Sequence, residues 1–300
     1  MVEAGILARM VQRFLKSGMR GSTRGTFALA KRFRALQAVP ICVNDSQQLW
    51  IDLRDGHSHL LLAGSPWSRV PWEADEQLVM RQVVRAGDVV LDIGAHIGLH
   101  TVLLSELVGR SGTVHAFEPN PRKAEALAVT MASLCNGTLH LMALGDRSGR
   151  MPLFVPEDES MASLADWTDG RVGSVDVTSC EMRPLDDLVS SGEVPRPDFI
   201  KCDVEGAEPR VFAGARATLD QVMAPIIMYE ANTLSSRAFG AAVSAGTDLL
   251  RACQCAKYRF FHVQPAGELR PIDSFDPACE HFNLLAVPAS RLDRMSRLGR

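Results

Sequence analysis

The chain has 300 residues, 46% of them apolar and 22% charged, which is enough for a sizeable core and outside the range of disordered chains. No run of eighteen consecutive apolar residues occurs, which excludes a spanning helix. The 32 Lys and Arg against 35 Asp and Glu, net −3 with a pI near 6.2, argue against a whole-chain polyanion binder and so against a nucleic-acid partner. The balance is uneven, however: residues 1–40 carry eight basic residues and one acid (Glu3), and the other 260 carry 24 basic and 34 acidic.

In chain order, residues 5–20 and 26–36 read as helices around a Gly21-Ser22-Thr23 break. At about 100° per residue, Ile6, Leu7, Met10, Val11, Phe14 and Leu15 fall on one half of the first helix, and Arg9, Arg13, Lys16 and Arg20 on the other. That pattern fits a helix packed on the body with its basic side in solvent. It also fits an interfacial helix on anionic lipid, so peripheral membrane contact through residues 5–20 is a second expectation. Ile41 to about Leu62 alternates in a β-like way, with turns at Asn44-Asp45 and Asp55-Gly56. Pro66 and Pro71 interrupt it. A helix is then predicted from Trp72 to Arg85, with Glu73, Asp75 and Glu76 in its first turn, where the macrodipole favours negative charge.

From there strands and helices alternate: strand Val89–Ile93, helix Leu99–Val108, strand Thr113–Phe117, helix Pro121–Leu134 and strand Leu139–Ala143. After a variable stretch come strand Phe199–Cys202, helix Glu208–Thr218, strand Pro225–Tyr229, helix Ala238–Ala252, and strands Tyr258–Val263 and Phe282–Val287. Strands buried on both faces and separated by helices predict a doubly wound, Rossmann-like α/β fold with a parallel sheet. The last two strands, joined by a loop, predict an antiparallel C-terminal hairpin edge. The expected organisation is a basic helical arm (1–40), a single α/β domain (41–290) and a basic tail (291–300). Within the domain lie an N-terminal β segment (41–70) and an inserted hairpin or lid (147–182). Seven scattered cysteines, an odd number, and the absence of a cleavable leader predict a reduced, cytoplasmic protein, peripheral at the inner membrane face if residues 5–20 meet lipid. Cys253-x-Cys255 and Cys279-x-His281 could offer zinc ligands, but they precede antiparallel neighbours and so fall at opposite ends of the sheet.

The informative run is Val89-Val90-Leu91-Asp92-Ile93-Gly94-Ala95-His96-Ile97-Gly98: a buried strand, an acid at its end, and a glycine loop opening a helix. Open α/β sheets bind ligands there, because glycines admit the ligand to the backbone and the helix start offers free N–H groups. The next strand ends in Phe117-Glu118-Pro119-Asn120, which places an acid where it can grip ribose hydroxyls. A dinucleotide site would read G-x-G-x-x-G and leave room for a pyrophosphate. Here the loop is Gly94-x-x-x-Gly98 behind Asp92, and a carboxylate there suits a cationic ligand bearing an ammonium and a sulfonium, S-adenosylmethionine rather than NAD.

Asp92-Ile93-Gly94-Ala95-His96-Ile97-Gly98, Ala116-Phe117-Glu118-Pro119-Asn120, Ala143-Leu144-Gly145-Asp146 and Ile200-Lys201-Cys202-Asp203-Val204-Glu205-Gly206-Ala207-Glu208 together resemble the FkbM family of S-adenosylmethionine-dependent methyltransferases, over roughly residues 70–290. The resemblance implies a seven-stranded methyltransferase sheet and methylation of a hydroxyl on a sugar, glycolipid or polyketide-type acceptor. It implies that Asp92, Gly94 and Glu118 hold the cofactor while Asn120, Leu144, Gly145 and Asp146 flank the adenine. His96 stands where the family usually has Asn, and a neutral imidazole can replace some of the amide's hydrogen bonds.

Methyl transfer to an alcohol requires a dry site, an aligned hydroxyl and a proton acceptor. Strand Phe199–Cys202 delivers Lys201, Asp203 and Glu205 to the cofactor end of the sheet, and strand Pro225–Tyr229 delivers Glu230 and Asn232. Carboxylates gathered there repel, so one should have a raised pKa and act as the base. Glu205 and Glu208 also suit a turn and the first turn of the next helix, and Lys201 suits an ion pair. His100, one turn into the helix after the loop, either touches the methionine end of the cofactor or packs. The acids could hold Mg²⁺, which the sequence leaves undecided. Alternatives to O-methyl transfer are a cofactor-binding module without turnover and transfer to a non-hydroxyl small molecule. The sequence is silent on oligomeric state.

Overall fold

The computed structural model describes residues 6–42, 48–63, 73–156, 159–168, 174–275 and 280–295. The arm comprises α1 (Ile6–Lys16) and α2 (Ser22–Arg32), with the break at 17–21, where Gly18 and Gly21 take positive φ; Ser22 opens the second helix rather than lying in the break. An antiparallel hairpin follows, β1 (Val39–Cys42) and β2 (Gln48–Ile51), whose predicted Asn44-Asp45 turn lies outside the described residues. The β-like pattern does not continue to Leu62. Gly56–Leu62 is a helix, α3, whose Leu61 and Leu62 enter the same core as Ala8 and Val11 of α1. Over seven residues, alternation and a helical period are hard to tell apart, and packing against the arm decides. Trp72, the predicted helix start, also lies outside the described residues, and α4 runs Ala74–Val83.

The alternating region forms β3 (Val89–Ile93), α5 (Leu99–Val108), β4 (Thr113–Phe117), α6 (Ala124–Ser133) and β5 (Gly137–His140). The strand expected over Leu139–Ala143 breaks after His140, and Ala143–Leu144 becomes β6 of a small sheet with β7 (Gly149–Pro156) and β8 (Val175–Arg183). β7 and β8 pair antiparallel, the predicted inserted hairpin. Then come α7 (Leu185–Ser190), β9 (Phe199–Cys202), α8 (Glu208–Ala213), α9 (Arg216–Leu219), β10 (Ile226–Asn232), α10 (Thr233–Ala238), α11 (Ala245–Arg251), β11 (Arg259–Val263), β12 (Leu269–Pro271) and β13 (His281–Val287). The helix expected over 208–218 is divided into α8 and α9, and the one expected over 238–252 is shortened to α11.

The main sheet has the order β12-β11-β13-β10-β9-β3-β4-β5, with β10, β9, β3, β4 and β5 parallel and β13 antiparallel between β10 and β11. This is the expected doubly wound α/β sheet with antiparallel C-terminal strands. It has eight strands rather than seven, the extra one being the three-residue β12. Period-2 alternation distributes the core: Val90, Phe199 and Ile226 face a layer with α4 and α5, while Leu91, Ile200 and Ile227 face a layer with α7, α8 and α11. Chain order reverses at β3, whose neighbours are β4 and β9, so a crevice opens at the carboxyl ends of these strands. At the opposite end, Arg291 and Arg294 of the expected basic tail dock on the body, Arg291 to Asp198 at 2.7 Å and Arg294 to Asp88 at 2.5 Å.

Candidate active site

At the switch point the glycine loop lies against the end of β9. Gly94 has φ +83°, its N–H and that of Ala95 both donate to the Phe117 carbonyl at 3.0 Å, and a Cβ on it would lie 1.8 Å from the Asp203 carbonyl oxygen. His96 is left-handed (φ 51°), and its backbone N–H donates to Glu118 Oε2 at 2.8 Å. The Asn120 N–H donates to Glu118 Oε1 at 2.7 Å, so the strand end and the loop together aim this buried carboxylate. Asp92 is fully buried behind the loop; Thr101 Oγ1 donates to its Oδ2 at 2.6 Å, and its Oδ1 has no hydrogen-bond partner among the described residues. Burial pushes both Asp92 and Glu118 above the usual carboxylate range.

The loop and Glu118 border a cavity of about 380 Å³, within the size range of small-ligand sites. Gly94, His96, His100, Glu118 and Leu144 line it, with Ile93, Phe117, Pro119 and Met142. Among the described residues Asp92, Gly98, Asn120, Gly145 and Asp146 do not. Gly98 instead caps α5 with φ +85° against Leu127, and Asn120 accepts from the Arg122 N–H at 3.0 Å. Gly145 turns away because its N–H donates to the Arg183 carbonyl as β6 joins the small sheet, and Asp146 is exposed.

The far end of the cavity is acidic. Lys201, Asp203, Glu205 and Glu230 all line it, as expected from the ends of β9 and β10. Lys201 Nζ donates to Asp203 Oδ2 at 3.1 Å. Although burial opposes the charge on both, each keeps the other ionised: Lys201 lies above the ordinary lysine range and Asp203 below the ordinary aspartate range. Burial, then Glu230 and Asp203, push Glu205 well above the carboxylate range. Glu205 is also left-handed (φ 53°), a conformation that costs a non-glycine residue energy. Burial likewise raises Glu230, against the pull of His281, whose Nε2 lies 3.0 Å from Glu230 Oε1. Asn232 donates to the same oxygen at 3.2 Å while its own Oδ1 caps α10. Oxygens of Asp203, Glu205 and Glu230 lie within 4.8 Å of one another, near enough for one cation. Lys201 already supplies positive charge at Asp203, so nothing in the cluster calls for Mg²⁺. Glu208 does not line the cavity. It accepts from the Val204 N–H at 2.9 Å and shapes the loop.

Several lining residues were not read from the sequence as site residues. Glu73 and Glu76, at i and i+3 and so on one helix face, point into the acidic end, and burial lifts Glu73 to about 8. Glu73 Oε2 is 3.7 Å from His100 Nε2, beyond hydrogen-bond reach, and burial with Lys201 nearby holds His100 neutral. Asn283 and His281 arrive from β13, where register pairs Glu230 with Asn283 and Asn232 with His281. The inserted segment covers one side: Glu159, Ala162, Ser163 and Leu164 line the cavity, Ser163 pairs with Phe154, and Ser163 Oγ donates to the Glu205 carbonyl at 2.9 Å. Cys279 lies outside the described residues, and Cys253 and Cys255 are free thiols.

A glycine loop at the switch point of a doubly wound sheet, a buried acid ending the next strand and a cluster of titratable groups across the cavity define an α/β domain of the methyltransferase class. Residues 92–260, more than half of the chain, match the family model described as the methyltransferase FkbM domain, and the chain belongs to that family. Among curated relatives, the hexuronic acid methyltransferase AglP of Haloferax volcanii is 30% identical over 150 residues, 50% of this chain and 59% of that protein. The 2-O-methyltransferase NoeI of Sinorhizobium fredii is 29% identical over 163 residues, 47% and 64%. The 31-O-demethyl-FK506 methyltransferase FkbM of Streptomyces tacrolimicus is 29% identical over 158 residues, 44% and 60%. The chain thus spans about three-fifths of the length of these relatives. Solved structures match remotely, as does the precorrin-6y C5,15-methyltransferase of Geobacter metallireducens, with 14% identity and a TM-score of 0.40 over 71% of this chain and 86% of that one.

Proposed function

We propose that the protein is an S-adenosylmethionine-dependent O-methyltransferase acting on a hydroxyl of a sugar-like acceptor. The observation that carries this reading is one cavity with a nucleoside-type grip at one end and a proton-accepting cluster at the other. The residues fit the cofactor: Gly94 leaves its backbone open, Glu118 is held by two backbone N–H groups, and Asp92 keeps an unpartnered oxygen at the strand end. Glu118 would take the ribose hydroxyls, the Gly94–Ile97 loop, with Asp92 buried behind it, the amino-acid end, and Pro119, Met142 and Leu144 the adenine. When bound, the cofactor supplies a methyl group made electrophilic by its sulfonium, and transfer leaves the acceptor oxygen with a proton to lose.

The cluster divides that work. Asp203, held ionised by Lys201, orients the acceptor hydroxyl. Glu205, whose affinity for protons is raised by burial and by Glu230 and Asp203 and whose carboxyl has no hydrogen bond among the described residues, takes the proton when itself ionised. Glu230 is anchored by Asn232 and His281 and keeps Glu205's affinity for protons high. AglP is named for a hexuronic acid and NoeI for a 2-O position, and both names support a sugar-like acceptor here.

Purified protein, labelled cofactor and a panel of neutral sugars, hexuronic acids and macrolide alcohols test the reading. Expected are transfer to a sugar hydroxyl, loss of roughly 10²–10⁴ in kcat in Glu205→Gln and Asp203→Asn with cofactor affinity kept, and no effect of EDTA. Failure to bind the cofactor would sink the reading. Loss of turnover on adding EDTA would replace the Lys201-balanced cluster with a metal site.

A further inference from the structure

Between Ile6 and Cys42 the chain has eight basic residues and no acid, and all eight basic side chains are exposed. Large apolar side chains stand among them: Ile6 is 72% exposed, Met10 62%, Met19 59% and Phe33 42%. The packing explains which apolar residues are left out. α1 turns Ala8 and Val11 inward, with Leu7 and Leu15 partly covered, to join Leu36, Leu61, Ile97 and Leu99 in one core. The i, i+4 pair Ile6 and Met10 falls on the outer side beside Arg9 and Arg13, so part of the half predicted to be apolar faces out. Single exposed apolar residues are ordinary, but Ile6 and Met10 of α1, Met19 in the break and Phe33 just after α2 all fall in a stretch of eight exposed cations and no acid.

We infer that the outer surface of α1 and α2 docks the domain on an anionic phospholipid bilayer. Cations gather at the charged headgroups while Ile6, Met10, Met19 and Phe33 enter the interfacial layer. No described helix is long and apolar enough to cross a membrane, so the domain would lie on the surface. Charge complementarity also orients it. The arm is strongly cationic and the remainder of the chain carries an excess of acids, so the same lipid field attracts one side and repels the other. The exposed apolar residues favour lipid over a nucleic acid, whose backbone offers them nothing to enter. The arm is no loose tether: Gln12 Nε2 donates to the Leu62 carbonyl at 2.8 Å, and Leu61, Ile97 and Leu99 of its core also line the candidate active site. Docking would therefore hold the cavity in a set orientation to the bilayer, whatever acceptor it takes.

The full-length protein should co-sediment with vesicles of phosphatidylcholine containing about one-third phosphatidylglycerol, not with phosphatidylcholine alone, and binding should fall steeply with salt. Arg13→Glu/Lys16→Glu/Arg24→Glu changes exposed side chains only and should lower the partition coefficient on the order of a hundredfold or more with melting unchanged. Ile6→Ser/Met10→Ser should lower it roughly tenfold and leave the salt dependence in place. No binding to the anionic vesicles, or binding indifferent to the charge reversals, overturns the proposal. So does a single-stranded RNA that binds more tightly than the vesicles and is insensitive to Ile6→Ser/Met10→Ser. Cofactor binding, measured alongside, separates failure here from failure of the methyltransferase reading.

Discussion

Gly94 is held by its neighbour's backbone. Its φ of +83° suits glycine, and a methyl group would meet the Asp203 carbonyl oxygen at 1.8 Å, so any side chain drives the ends of β3 and β9 apart. Gly94→Ala is expected to lose roughly 2–4 kcal/mol of stability and to weaken cofactor binding at least tenfold, read by thermal melting and calorimetric titration. An alanine protein that melts and binds like the parent contradicts this. Glu208 makes a second case at the same scale. Burial lifts its carboxyl from the ordinary 4.5 to about 8, against the Val204 N–H that favours the ionised form. The folded state therefore holds this proton more tightly than the unfolded chain. The stability it contributes is complete below the ordinary value and lost as pH climbs through about 8. Glu208→Gln keeps an acceptor for the Val204 N–H and cannot titrate. Urea unfolding of parent and variant should diverge by roughly 1–3 kcal/mol between about pH 5 and pH 8.5, the parent losing ground at the alkaline end. Such residues are legible where a backbone constraint or a strand end writes them into local sequence, as with Gly94, Glu118 and Asp203. His96 is the contrary case. Its link to Glu118 is a backbone N–H that any residue supplies, while its ring lies 3.2 Å from Asp55, 41 positions earlier.

Between elements, one buried cation ties three segments together. Lys123, before α6, is 1% exposed and sits 3.0 Å from Asp55, just before α3, and 2.8 Å from Glu159 of the inserted segment over the cavity. Removing that cation takes from buried Asp55 its lysine partner, leaving the His96 ring at 3.2 Å, and leaves Glu159 to the exposed Arg122. Lys123→Met is expected to cost about 3–5 kcal/mol and to loosen the Glu159 turn, lowering cofactor affinity as well. Arg122 pairs with the same Glu159 and with Asp176 but is 42% exposed, so Arg122→Ala should change stability by no more than about 1 kcal/mol. Equal losses in the two variants would show the buried network to be no more than a surface pair. Nothing in the sequence joins these partners. Helix α6 and the β7–β8 hairpin follow from periodicity, which describes an element's own face, whereas Asp55 and Lys123 meet across 68 positions. The parallel strands were legible for the opposite reason, since burial on both faces leaves an apolar run. β12 was not, because three residues ending in Arg270-Pro271 carry no period.

At the scale of the whole molecule, the sequence predicts an arm at 1–40 beside a domain from 41, a boundary drawn from charge. Charge reports only the solvent side, and the inner side runs continuously across it. Ala8, Val11, Ala30 and Leu36 share one core with Leu49, Ile51 and Leu53 and with Ile97, Leu99 and Val102 at the start of α5. The glycine loop opens that helix, so the cofactor end of the cavity rests partly on the arm. We propose that the arm is structurally part of the catalytic domain, whether or not it also meets lipid. Deleting residues 1–38 should expose this core, lower stability by more than about 3 kcal/mol and weaken cofactor binding, although no residue that lines the cavity is removed. Charge reversals on the outer surface of α1 should do neither. The two manipulations separate packing from docking, because only the deletion uncovers Leu49, Ile51 and Ile97. A truncated protein that melts with the parent and binds the cofactor equally well would make the arm an appendage and restore the boundary near residue 40.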